Sequence, residues 1–133
     1  MKEHALRLVY GNDLKEELQN YCNVNQIESC AIVTCVGCVN QLRLRLADGK
    51  SIRQWNKQFE IVSLTGTIAK GKAHLHFSGS DIEGKCIGGH LLEGTLVNTT
   101  AEIVLMELDS IQFDREFDES TGYDELIISA RNN

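Results

Sequence analysis

The spacing of apolar and polar positions changes once, early in the chain, and then keeps a period of two almost to the end. Residues 5–10, "ALRLVY", alternate as a first strand, and "GNDLKEELQNYCNVN" follows with Leu14, Leu18, Tyr21 and Cys22 on one helical face. Asn12 or Asp13 can cap that helix, and Glu16 completes a D-x-x-E capping box. From Ile27 onward "SCAIVTCVG", "NQLRLRLAD", "FEIVSLTGTIA", "AHLHFSG", "KCIGGHLLEG", "TLVNTTAEIVLMEL" and a late "ELIIS" read as strands separated by Gly, Asn or Asp turns. In "QLRLRLAD", Leu42, Leu44 and Leu46 face one way and Arg43 and Arg45 the other, the mark of a half-buried strand. Short strands with tight connections and one strong helix predict a mostly antiparallel α+β domain rather than a doubly wound one.

Length and composition narrow this further. A chain of 133 residues without a repeat, a low-complexity tract or a single proline predicts one domain over 1–133. Its longest apolar stretches fall short of the roughly 20 residues that cross a bilayer, and "MKEHALRLVY" has no signal-peptide core, so a soluble, cytoplasmic protein is expected. The net charge of −6 is uneven: residues 1–72 hold ten basic and seven acidic groups, residues 73–133 three and twelve. An acidic chain without a Lys/Arg cluster is poorly suited to gripping phosphates, and the acidic half reads as a solvated face. The five cysteines are expected to be reduced and mostly buried. "CVGC" lies between strand-like runs, without the following helix of a redox motif or a second ligand pair for zinc.

The candidate chemistry lies in "HLHFSGSDIEGKCIGGH", residues 74–90, which holds three of the four histidines. His74 and His76, two apart on a strand, project from the same face, and "CIGGH" returns antiparallel after a turn. A register in which paired numbers sum to 164 puts His90 opposite His74; a slip of two keeps all three rings on one face, and an odd slip separates them. Gly88 and Gly89 clear space for a ligand or a neighbouring backbone. Three imidazoles with a further position open are a transition-metal set, zinc before copper, iron or nickel, whereas scattered polar histidines would be tied to backbone. Glu60, Glu93 and Glu102 are the strand acids from which a general base or an outer partner could come, with Glu60 and Glu102 grouped with Gly88 and Gly89 as ligand-binding candidates. His4 stands apart.

"FEIVSLTGTI", "AHLHFSGSDIEGKCIGGHLLEGTLVNTTAEIVLMEL" and "FDREFDESTGYDELII", with the early "RLVYGNDLKEEL", resemble the plant and prokaryote conserved (PPC) domain over nearly the whole chain. The H-x-H, G-G-H, T-A-E and T-G-Y-D-E-L elements carry the resemblance. It implies a compact α+β fold assembling as a homotrimer, and it implies that His74, His76 and His90 match histidines with which some stand-alone members hold a metal. Plant members fuse the domain to AT-hooks that grip DNA, and prokaryotic ones carry a DNA-binding label; no R-G-R-P core occurs here. Closing strand edges at a rotational interface would also absorb part of the apolar run "EIVLMEL", which buried core would accommodate equally well.

Three functional classes follow. The favoured one is a metal-binding homotrimeric module that recognises a small ligand or a protein partner. The others are a DNA-binding regulator, as the family label has it, and a metal-dependent hydrolase or lyase, which needs a carboxylate beside the open metal position. No membrane partner is expected.

Overall fold

The structure, a computed structural model, describes residues 1–132. Strand β1 (Lys2–Val9) leads into helix α1 (Leu14–Val24), and β2 (Ser29–Arg45), β3 (Ile52–Trp55), β4 (Phe59–Ala69), β5 (Lys72–Ser80), β6 (Cys86–Leu91), β7 (Leu96–Glu107), β8 (Ile111–Asp118) and β9 (Tyr123–Ala130) follow. Every pairing is antiparallel. The main sheet runs β1-β7-β2-β4-β5-β6, and β6 also pairs with the end of β2, so that β2, β4, β5 and β6 close on themselves. The expected α+β class with one principal helix is observed.

Asp13, rather than Asn12, caps α1 by accepting a hydrogen bond from Glu16 N at 3.0 Å. Its second oxygen accepts from Gly94 N at 2.7 Å, tying the start of the helix to the turn before β7. Leu14, Leu18 and Cys22 are buried against the inward residues of the sheet, among them Leu42, Leu44, Phe59, Leu75, Phe77 and Leu91. Of the apolar run in β7, Ile103 and Leu105 belong to this core. His4 is held at its edge by Tyr21 Oη at 3.0 Å and Glu107 Oε1 at 2.8 Å, which accounts for it as a packing residue.

The structure departs from the sequence reading at β2, where the two strands expected on either side of "CVGC" are one of 17 residues. Gly37 marks a register irregularity, not a turn. Its φ is +151°, and a Cβ there would lie 2.1 Å from Thr100 O, so the glycine lets β2 and β7 pass closely. Cys35 is buried, with its thiol pushed up to about 12 by desolvation, and Cys38 Sγ donates to Asn98 O at 2.9 Å. Both act as packing residues, in keeping with the strand reading. The charged segment Ile111–Asp118 and the short Ile52–Trp55 also form strands without having shown a clean period of two.

Gly66 makes the corresponding close passage between β4 and β5: its φ is +144° and a Cβ would lie 2.0 Å from His74 O. Gly66→Ala should therefore cost about 1–3 kcal/mol in urea unfolding through forced backbone shifts. Gly84→Ala, at φ +80° with nothing within 4 Å, should cost only the left-handed strain of about 1 kcal/mol.

Candidate metal centre and its cavity

The β5–β6 hairpin sets the site. Asp81 N donates to Lys85 O at 2.9 Å, and the Asp81 side chain accepts from Glu83 N and Lys85 N, both at 2.9 Å. This tightens the loop to residues 81–85 and pairs Ser80 with Cys86. The register is therefore two residues away from the first expectation: His90 lies opposite His76, and Gly88 opposite Ser78. The slip is even, so the three imidazoles still share a face. Alternation along β5 sends Leu75 and Phe77 into the core and His74 and His76 outward.

The three rings converge. Their centroids are 5.2 Å (His74–His76), 5.4 Å (His74–His90) and 5.8 Å (His76–His90) apart, and one nitrogen from each lies within 4.8 Å of the others. His90 Nδ1 is buried without a hydrogen-bond partner. An orphaned, buried ring nitrogen is costly unless something exogenous satisfies it. Burial lowers the pKa of His90 to about 4, with the positive charge of Arg45 and then of His74, Lys15 and His76 adding to the effect. His74 is lowered too, first by desolvation and then by His76, Arg115 and Arg45, against the opposing charge of Glu125. At neutral pH both are the unprotonated imidazoles that metal ligation requires.

The glycines lie in the site for a backbone reason. A Cβ on Gly88 would lie 2.7 Å from Phe77 O, and one on Gly89 2.8 Å from Arg45 O. They let β6 fit between β5 and the end of β2, where Arg45 pairs with His90. The sequence left open whether a ligand or a neighbouring backbone needed that space; the backbone occupies it.

All three of the sequence-selected acids are elsewhere. Glu60 pairs with Ser80, four residues beyond His76 and so roughly 13 Å along the strand. Glu102 lies on β7 opposite Arg7 and Val36. Glu93 pairs with Lys15 Nζ at 3.5 Å. None of the three lines the cavity over the histidines. Period-two parity says which side of a strand a residue takes and nothing about which strands are neighbours, and here β7 lies on the far side of β2.

That cavity, about 770 Å³, is roofed by the β8–β9 hairpin, which brings Arg115, Tyr123, Asp124 and Glu125 over the imidazoles, while Arg45 and Lys72 come from the sheet. Arg45 Cζ lies 6.0 Å from the Tyr123 ring centroid, at the limit of a cation–π contact. Asp124 and Glu125 are the carboxylates of this cavity, and neither is among the acids the sequence pattern singles out. The available signal is the "TGYDEL" element, which holds Tyr123, Asp124 and Glu125.

The architecture is thus that of a small antiparallel α+β domain with three outward histidines on one face of its sheet. The chain belongs to the Plants and Prokaryotes Conserved (PCC) domain family, whose model matches residues 1–109. It is 38% identical over 128 residues to the bifunctional protein GlmU of Synechococcus sp. strain JA-3-3Ab, covering 96% of this chain and 21% of that one. The chain thus spans about a fifth of the length of the curated relatives it first matches. A hypothetical protein of Salmonella enterica superposes with a TM-score of 0.95 at 36% identity, covering 98% of this chain and 95% of that one, so it extends through the β8–β9 roof. A metal-containing protein from Archaeoglobus fulgidus shares the fold, with a TM-score of 0.79, 24% identity, and 96% and 94% of the two chains covered. Solved neighbours also include candidate DNA-binding proteins from Bacteroides thetaiotaomicron and Ralstonia eutropha. Among the described residues no helix is long and apolar enough to cross a membrane.

In metal-free protein the His90 ring should titrate near pH 4 by NMR, well below an ordinary histidine. The unfolded chain takes up that proton near 6.5 and the folded chain only near 4. Stability from this group is thus fully present above about 6.5 and lost as pH falls through that window, which chemical denaturation at stepped pH will read.

Proposed function

We propose that this protein is a metal-binding module in which His74, His76 and His90 hold one transition-metal ion, zinc in the first instance, and present it to a ligand in the overlying cavity. The observation that carries the reading is the convergence of three ring nitrogens with His90 Nδ1 buried and unpartnered. The lowered pKa of His74 and His90 supports it, because both rings are ready to ligate at neutral pH without displacing a proton. The metal content of the Archaeoglobus protein of the same fold adds support. Bound there, such an ion would supply a Lewis-acid centre with room for an exogenous ligand. Around it, Glu125 faces His74 closely enough for its charge to be felt, and can orient that ring.

The reading includes assembly as a homotrimer. The β8–β9 ribbon is a two-stranded sheet, a form marginal by itself, and it leaves Phe117, Ile127 and Ile128 exposed at 61%, 41% and 63%. A rotational interface that covers this apolar surface would stabilise the cavity roof. Equilibrium sedimentation is expected to give three chains per particle, and a monomer at micromolar concentration would refute this part.

Protein purified without added metal or a histidine tag should contain close to one equivalent of zinc by elemental analysis. His76→Ala or His90→Ala should weaken zinc at least by the roughly 100-fold that loss of an outer partner can already cost. Unchanged metal content in both variants would sink the proposal. The DNA-binding reading is favoured by the neighbours' descriptions and opposed by the net charge of −6. It predicts a salt-dependent shift of duplex DNA, and the charge predicts none at low salt. A catalytic role, hydrolase or lyase, would draw its acid–base group from Asp124 or Glu125, so Asp124→Asn or Glu125→Gln should abolish turnover while zinc is retained.

A further inference from the structure

The cavity wall has a charge pattern that metal binding alone does not call for. Arg45, Lys72 and Arg115 all border it, in a chain with only thirteen basic residues against nineteen acidic ones. Lys15, Lys57 and Lys70 pair with Glu93, Asp81 and Asp114, whereas Lys2, Lys50 and Lys85, which lie outside the cavity, do not pair among the described residues. Among the described residues the three cavity cations form no ion pair. Arg45 Nε is buried with no hydrogen-bond partner, and Arg115 reaches only the backbone oxygen of Asp124, at a long 3.4 Å.

Unpaired cations beside a site for a dication are electrostatically costly, since every charge there repels the others. Asp124 and Glu125, the two acids of the wall, offset the ion and part of this excess, and the balance stays positive once an ion is bound. The arrangement becomes favourable when a ligand brings negative charge. Two of the three cations are guanidinium groups, whose planar forks match a carboxylate bidentately.

The remaining wall says what the charge is attached to. A volume of about 770 Å³ lies in the range of organic-ligand pockets and far exceeds what an inorganic anion fills. Leu46, Ala47, Ala73 and the Tyr123 ring provide apolar surface between the charged groups.

We infer that the cavity binds a small organic carboxylate, its acid group held by Arg45, Arg115 and Lys72 and its body lying on the apolar wall toward the histidines. This names the ligand class for the metal site proposed above and rests on that reading for the inner wall alone; the cations and the cavity stand without it.

The test is an NMR titration of the full chain, zinc-loaded and metal-free, with benzoate and succinate, and with inorganic phosphate as the comparison. Saturable shifts with a carboxylate are expected, centred on Arg45, Gly88, Arg115 and Tyr123. Arg115→Gln should weaken binding about tenfold or more, as loss of a charge-assisted hydrogen bond does. Lys72→Gln, at an exposed strand position that folding tolerates, should weaken it by less. Neither variant should change zinc stoichiometry.

Absence of saturable carboxylate binding in both forms overturns the inference, as does binding that the substitutions leave unchanged or that phosphate alone achieves. If zinc binds and carboxylates do not, the ligand assignment falls and the metal site stands. If carboxylates bind through these cations in a protein that takes up no zinc, the ligand assignment stands and the metal site falls.

Discussion

The metal site proposed for this protein depends on the pairing of β5 with β6. Asp81 closes the loop by accepting from Glu83 N and Lys85 N, and the register this enforces makes His76 and His90 direct cross-strand partners. One further residue in the loop would turn His90 into the core, where Leu91 now lies fully buried. The hydrophobic pattern is thus the guarantor of the site: Leu75, Phe77 and Leu91 must face inward, and the imidazoles are carried outward as a consequence.

Close backbone passage is the second constraint. Gly66, Gly88 and Gly89 lie where a Cβ would strike the main chain of a neighbouring strand, and they cluster around the histidines. They let β4, β5, β6 and the end of β2 close on themselves, which places Arg45 beside His90. The same closure thus pairs Arg45 with His90, and desolvation first, then the Arg45 charge, hold the ring unprotonated at neutral pH.

The β8–β9 ribbon adds a further wall to this face. It lies beyond the residues matched by the family model, yet it supplies Arg115, Tyr123, Asp124 and Glu125 to the cavity. A two-stranded sheet has little stability of its own, so the roof depends on what it packs against. Phe113, buried, and its backbone N–H, donated to Ser29 Oγ at 2.8 Å, anchor it to the main sheet.

The sequence alone determined the helix and a cap at Asn12 or Asp13, most of the strands, and the placing of His74, His76 and His90 on one face, because these follow from local periodicity and parity. It missed the continuity of β2, since a glycine that permits strand crossing has the same local signature as one that makes a turn. It named Glu60, Glu93 and Glu102, which do not line the cavity, and did not single out Glu125, Arg45, Lys72 or Arg115, which do. Only the tertiary structure decided those, because they come from strands distant in the chain whose adjacency is fixed by sheet closure and by hairpin docking. Parity tells a residue which way to point; packing decides what it meets there.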